Sequence, residues 1–316
     1  MSDSPQDARG PRPVERVRGE HPSDESWRAD ALARSRHSDL RSEIVPPLDD
    51  HDALRAGALC GEICRNALGG LAAGLILLPP ESRPRAQAAA ACAVALFDFA
   101  RQSGLDGEKL ALINRWEFEL ERALSGTPAG QPVFVQVARL HAEEPWPLDL
   151  FDGLVAAARR RVAWPRPEDE PRLEAECRDL GRLALLAVGD ERPGAEALDL
   201  AALLVRTRRL LALGDDLRRH QAGVPTSLLP PAWEAASSGA AATTRAAAAG
   251  ERDALGARLR DAVSRLDSLS PRLRPAGRFA LGAARRLVGR LDPGRLNPAP
   301  ELGLVERLWL LARSRF

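Results

Sequence analysis

The chain has 316 residues and a net charge of +1, from 45 Lys and Arg against 44 Asp and Glu. That balance excludes a general electrostatic attraction to nucleic acid or to anionic membrane. Ala and Leu dominate the apolar residues and Tyr is absent. This composition excludes an all-β protein and argues against a parallel α/β sheet, because strands favour β-branched and aromatic residues.

Residues 1–50 are rich in Pro, Ser, Asp, Glu and Arg. They carry too little apolar periodicity to offset chain entropy, so they are expected to form a disordered tail in which Trp27 is either a loose aromatic or a docking anchor. Residues 51–316 are expected to form one all-α domain, a helical bundle around a central apolar pocket. The periodicity predicts a helix over 51–78, stopped by Pro79 and Pro80. Pro84 opens the next helix, apolar nearly all round through ALFDFAR and therefore central. Further helices are predicted over 110–124, 134–143, 148–162, 173–188, 195–217, 252–269, 275–291 and 302–315. Residues 235–249 read as a low-complexity Ala/Ser/Thr stretch.

The start of the chain has no apolar segment of signal-peptide type. The longest uncharged run, Asn66 to Pro80, is too short to span a bilayer. A cytoplasmic protein with at most peripheral membrane contact is expected. Cys60, Cys64, Cys92 and Cys177 contain no CxxC pair. Cys60 and Cys64 stand at i, i+4, but no Cys or His lies near enough in sequence to complete a tetrahedral metal set, so they are read as buried thiols.

Several segments, in order, resemble the squalene/phytoene synthase family. Leu77-Leu78-Pro79 followed by Arg83 to Arg101 is similar to that family's "LLP…RP…ALYAFAR". Ile113 to Gly126, INRWEFELERALSG, is similar to "LDAWRxELDxALxG", and Cys177 to Gly189 to "YCRRSAxPVGRLVLxLFG". Residues 269–286 and 306–312 resemble its C-terminal helices. The resemblance implies an all-α bundle whose members join two prenyl diphosphates head to head. It also implies two aspartate-rich motifs that face each other and hold Mg²⁺ against the diphosphates.

The motifs depart from that pattern. The first, DDxxD, falls on Gly104-Leu105-Asp106-Gly107-Glu108, where only Glu108 matches a family acid in register. The second, NxxRDxxED, falls on Arg208 to Asp216, with Ala212 in place of its first aspartate and Asp215-Asp216 matching the terminal acidic pair. The i, i+4 pair of carboxylates that shares a cation on one helix face is lost. By resemblance, candidate metal ligands are Asp106, Glu108, Asp215 and Asp216, and candidate diphosphate contacts are Arg101, Arg218 and Arg219.

Each has a structural alternative. Asp215 and Asp216 also suit a helix end paired with Arg218 or Arg219, and Arg101 also suits an arginine reaching out from a buried helix end. His220 is read as a loop histidine or an acid/base group. Arg159-Arg160-Arg161 reads as a solvated helix face or as a metal-free diphosphate site. Two functions are expected. One is a member without two-metal catalysis that binds an isoprenoid or partners an active synthase homologue. The other is an active Mg²⁺-dependent prenyl-diphosphate transferase making squalene, hopanoid or carotenoid precursors. Neither involves nucleic acid.

Overall fold

The computed structural model describes residues 50–102, 104–128, 130–163, 169–214, 238–294 and 300–315. Residues 1–49, with Trp27, and residues 215–237, with His220, lie outside the described set. Of the described residues 82% are helical and none is in a strand, as the composition requires.

Among the described residues there are ten α-helices. They are α1 (Asp50–Leu68), α2 (Ser82–Arg101), α3 (Asp106–Leu124), α4 (Pro132–Glu143), α5 (Leu148–Ala163), α6 (Glu170–Ala187), α7 (Ala195–Leu211), α8 (Ser238–Asp261), α9 (Arg274–Arg290) and α10 (Leu304–Ser314). Two 3-10 segments, Gly69–Leu77 and Ala262–Ser268, follow α1 and α8. Proline in the first turn starts α4, α6 and α9, where its missing N–H has no helical partner to lose.

Several elements differ from the periodicity reading: α7 ends at Leu211, short of the predicted 217, and the predicted 252–269 is the second half of α8 followed by the 3-10 segment Ala262–Ser268. The single helix predicted over 51–78 breaks at Gly69, whose φ of 54° only glycine adopts freely. The chain continues as the first 3-10 segment, which lies against α9. A β-carbon at Gly74 would sit 2.5 Å from the ring of fully buried Phe279. Residues 238–249 of the Ala/Ser/Thr stretch form the first half of α8, with Thr244 and Ala248 buried. Ala propensity suffices there without an amphipathic stripe.

Packing divides into two large clusters. The first joins α1 to α5 with one side of α6, through Cys60, Cys92, Leu96, Phe134, Phe151 and Leu186. Trp116 sits within it between Phe99 and Phe134, with ring centroids 5.7 and 4.5 Å away. The second cluster joins α7, α8 and α9 with another side of α6, through Leu185, Leu200, Leu210, Leu255 and Leu281. α6 and α7 approach to backbone contact, since a β-carbon at Gly181 would lie 2.7 Å from the Ala202 nitrogen.

Arginines close many segment ends. Arg83 donates to the carbonyls of Ile76 and Leu78 at 2.9 and 3.1 Å. Arg85 donates to those of Glu144 and Pro145 at 2.7 and 3.1 Å, and Arg274 to that of Leu269 at 3.1 Å. Carbonyls at helix ends have no intrahelical donor, and a guanidinium fork supplies two at once.

Candidate functional site

The helix carrying ALFDFAR ends at Arg101, half-buried, where its positive charge complements the C-terminal dipole. Gln102 is extended, with ψ 149°, and Gly104 has φ 141°. The chain therefore turns away instead of carrying carboxylates onward along α2. Leu105 starts the next helix. Its backbone N–H donates to the Glu108 carboxylate at 3.2 Å, the reach-back half of a capping box. Asp106, 67% exposed, accepts from Lys109 Nζ at 3.0 Å. Both carboxylates occupy the first turn of α3, where the helix dipole favours negative charge.

At the opposing position α7 ends at Leu211 and Ala212 is its C-cap. Arg208, at the place of the family asparagine, donates to the carbonyl of Ala67 at 2.8 Å, bracing the last turn of α1. Asp215, Asp216, Arg218 and Arg219 lie outside the described residues. Among the described residues no three Asp, Glu, His or Cys side chains come together as a metal site. Asp106 and Glu108 each serve a local partner and Ala212 has no donor, which leaves Asp215 and Asp216 as the candidate ligands outside the described residues.

The three consecutive arginines of α5 are each engaged. Arg159 forks onto Glu117 and donates to Asn114 Oδ1 at 2.7 Å, and Arg160 pairs with Asp179 at 3.0 Å. Arg161 corrects the reading of a wholly solvated face: it is buried and lies 3.8 Å from Glu176. Glu176 also pairs with Arg209 of α7 at 2.8 Å.

A polar assembly that no sequence motif marks joins α6, α7 and α8. Arg206 of α7 donates to both oxygens of Glu251 of α8, at 2.5 and 2.7 Å. It also donates to Glu170 and Glu174 of α6, the latter at 3.0 Å. Arg258 of α8 completes it by donating to Glu174 at 2.7 Å. Burial opposes the Arg206 charge, but the hydrogen bonds to Glu251 and Glu170 outweigh it and raise the guanidinium pKa further. The hydrogen bond from Arg258 holds Glu174 below the ordinary glutamate value, with Arg206 adding to it. The partners lie 32, 36 and 45 residues from Arg206 in sequence, so no local pattern marks them.

The four thiols are all buried, Cys60 and Cys64 as the spacing argument predicts. Burial pushes Cys60 up to about 12, and Cys64 and Cys177 to about 11, while Cys92 rises further still. With no metal bound, such groups stay protonated at neutral pH, the form that is not nucleophilic.

The sequence model of squalene/phytoene synthase matches residues 70–295. The chain belongs to the squalene/phytoene synthase family. Solved structures share the all-α fold of this squalene/phytoene synthase family member at low identity. A dehydrosqualene synthase in complex with ligand is similar with a TM-score of 0.65 and 15% identity, covering 84% of this chain and 97% of that one. The squalene synthase HpnC from Alicyclobacillus acidocaldarius is similar with a TM-score of 0.58 and 18% identity, covering 77% and 95%. YisP from Bacillus subtilis is similar with a TM-score of 0.55 and 15% identity, covering 83% and 97%. Among curated proteins none matches the chain. No helix among the described residues of this family member is long and apolar enough to cross a membrane.

Proposed function

We propose that this family member acts in isoprenoid metabolism without two-metal ionisation of a prenyl diphosphate, as an isoprenoid-binding subunit or a partner of an active synthase homologue. The backbone at Gln102 and at Gly104–Glu108 carries this reading. Ionisation requires the leaving charge to be neutralised by metal held in carboxylates. The two acids at the first motif cap α3 and bind Lys109 instead. Ala212 supplies no ligand from the other side.

The test incubates the full chain with Mg²⁺ and farnesyl or geranylgeranyl diphosphate. No condensed product is expected, while farnesyl diphosphate binding, followed by calorimetry, persists in EDTA. Each 1.36 kcal/mol of lost metal stabilisation costs about tenfold in rate. Mg²⁺-dependent turnover abolished by Asp216→Ala would overturn the reading and restore the active transferase. Turnover that ignores Asp215 and Asp216 but is lost in Arg101→Ala would also overturn it, in favour of a site built on arginines.

A further inference from the structure

Between α8, the second 3-10 segment, α9 and α10 lies an open groove of about 1350 Å³. Six arginines line it: Arg252, Arg260, Arg278, Arg285, Arg286 and Arg313. Asp253 is the one acid among its described lining residues. A chain of net charge +1 therefore concentrates positive charge on this face. Arg252 is engaged by Asp253 at 2.8 Å. Arg286 lies 3.6 Å from Glu306 and stands over the Trp309 ring at 4.4 Å, with Arg313 over the same ring at 5.2 Å. Among the described residues no ion pair engages the exposed Arg260, Arg278 or Arg285. The floor is apolar, formed by Leu266, Leu281, Val288 and Leu310.

The outer face of α10 continues this surface. Leu304, Val305, Leu308 and Trp309 stand at i, i+1, i+4 and i+5, which places them on one stripe. All four are exposed, Val305 to 78%. Leu310 and Ser314 hold the helix to the bundle from its other side. Trp309 belongs both to the stripe and to the groove wall, so the apolar stripe and the arginines are contiguous.

We propose that this face docks on an anionic phospholipid surface. α10 lies along the interface with its Leu304–Trp309 stripe at the acyl boundary, and the groove arginines take the phosphodiester groups beside it. Charge complementarity argues for an anionic occupant, and a guanidinium fork matches phosphate oxygens in pairs. The stripe argues for an occupant that is also apolar. A soluble diphosphate would engage the arginines and leave four large side chains in water. An amphipathic helix with Trp at its margin and arginines alongside has the physical form of an interfacial anchor. Overall neutrality means the charge orients the protein on the surface and does not attract it from every side.

The test sediments the full chain with vesicles of equal parts phosphatidylglycerol and phosphatidylcholine, and with phosphatidylcholine alone. Pelleting is expected on the mixed vesicles only, and it falls as salt rises. The triple variant Arg260→Gln, Arg278→Gln, Arg285→Gln should bind about tenfold more weakly or worse. The double variant Val305→Asp, Leu308→Asp should lose binding comparably with its far-UV circular dichroism unchanged. Should either fail to fold, the single exposed-site variants Arg285→Gln and Val305→Gln replace it. Absence of pelleting on mixed vesicles, or unchanged pelleting by either variant, overturns the proposal. Complete competition by inorganic diphosphate would assign the groove to a free anion. Polyglutamate binding that ignores Val305 and Leu308 would assign it to an acidic protein. Either result overturns the lipid surface.

Discussion

The Arg206 guanidinium donates to both carboxylate oxygens of Glu251, and each side chain is only 4% exposed. The pair links α7 to α8 inside the bundle, while Glu170 and Glu174 tie the same guanidinium to α6. Removing one member leaves a buried charge without its partner. Arg206→Met is expected to cost about 3–5 kcal/mol in chemical denaturation. Combining it with Glu251→Met should cost less than the sum of the two single variants, because the second change removes the stranded carboxylate. Strict additivity would show that the pair is not coupled.

Restoring an acid at the first motif is not expected to rebuild it. Gly104 has φ 141°, and a β-carbon there would lie 2.9 Å from Glu108 Oε2. Gly104→Asp is expected to lower stability by about 1–3 kcal/mol. Thermal melts with and without Mg²⁺ should show no metal-dependent recovery. A Mg²⁺-induced rise in Tm would mean that the turn re-forms into a ligand-presenting helix.

The cluster predicts an acid dependence of stability. Glu174 has a folded pKa below its unfolded value of about 4.3–4.5. Its contribution is therefore complete above that range and is lost as pH falls through the folded value. The carboxylate is 39% exposed, so solvent screens the effect and keeps it modest. Glu174→Gln should flatten the fall in Tm below about pH 4.5. An identical profile in the variant would count against the assignment.

Two glycines test how tightly the helices meet. At Gly181 a β-carbon would press on the backbone of Ala201 and Ala202, at 2.9 and 2.7 Å. At Gly153 it would meet Leu183 Cδ2 at 2.5 Å, the far end of a flexible side chain. Gly181→Ala is expected to cost about 1–3 kcal/mol or more, and Gly153→Ala less, because Leu183 can rotate away. Equal losses, measured in urea, would contradict the difference between the two obstacles.

The thiols supply a probe of global opening. With Cys60, Cys64, Cys92 and Cys177 buried and raised above the ordinary cysteine range, a neutral-pH alkylating reagent should modify none of them in the folded chain. All four should react in denaturant. Mass spectrometry showing rapid native-state alkylation of Cys64 would reveal local opening of α1.

Apolar spacing and proline positions made the helices legible. α5 begins at the predicted Leu148, and α9 is displaced by one residue at each end from the predicted 275–291. The break at Gly69 was signalled by the adjacent Gly70 but outweighed by apolar continuity on both sides. The first half of α8 was obscured because Ala, Ser and Thr give no stripe to read. The site was harder. Position in the family motif pointed to Arg101, Asp106 and Glu108, but the extended backbone at Gln102 and the positive φ of Gly104 decide what those side chains meet. The Arg206 cluster had no local signal, because its partners come from helices distant in the chain.

α6 is buried on two sides: Leu183 and Leu186 enter the core built by α1 to α5, and Leu185 enters the core built by α7 to α9. A helix shared in this way has no partial unfolding that leaves it covered, so its amides should exchange with solvent only when the whole bundle opens. The same sharing sets a timing problem during synthesis. When the ribosome has released α6, the earlier helices can cover one of its faces, while the other stays bare until α7, α8 and α9 emerge. During that interval the Leu185 side of α6 has no apolar partner, the condition that favours contact between nascent chains.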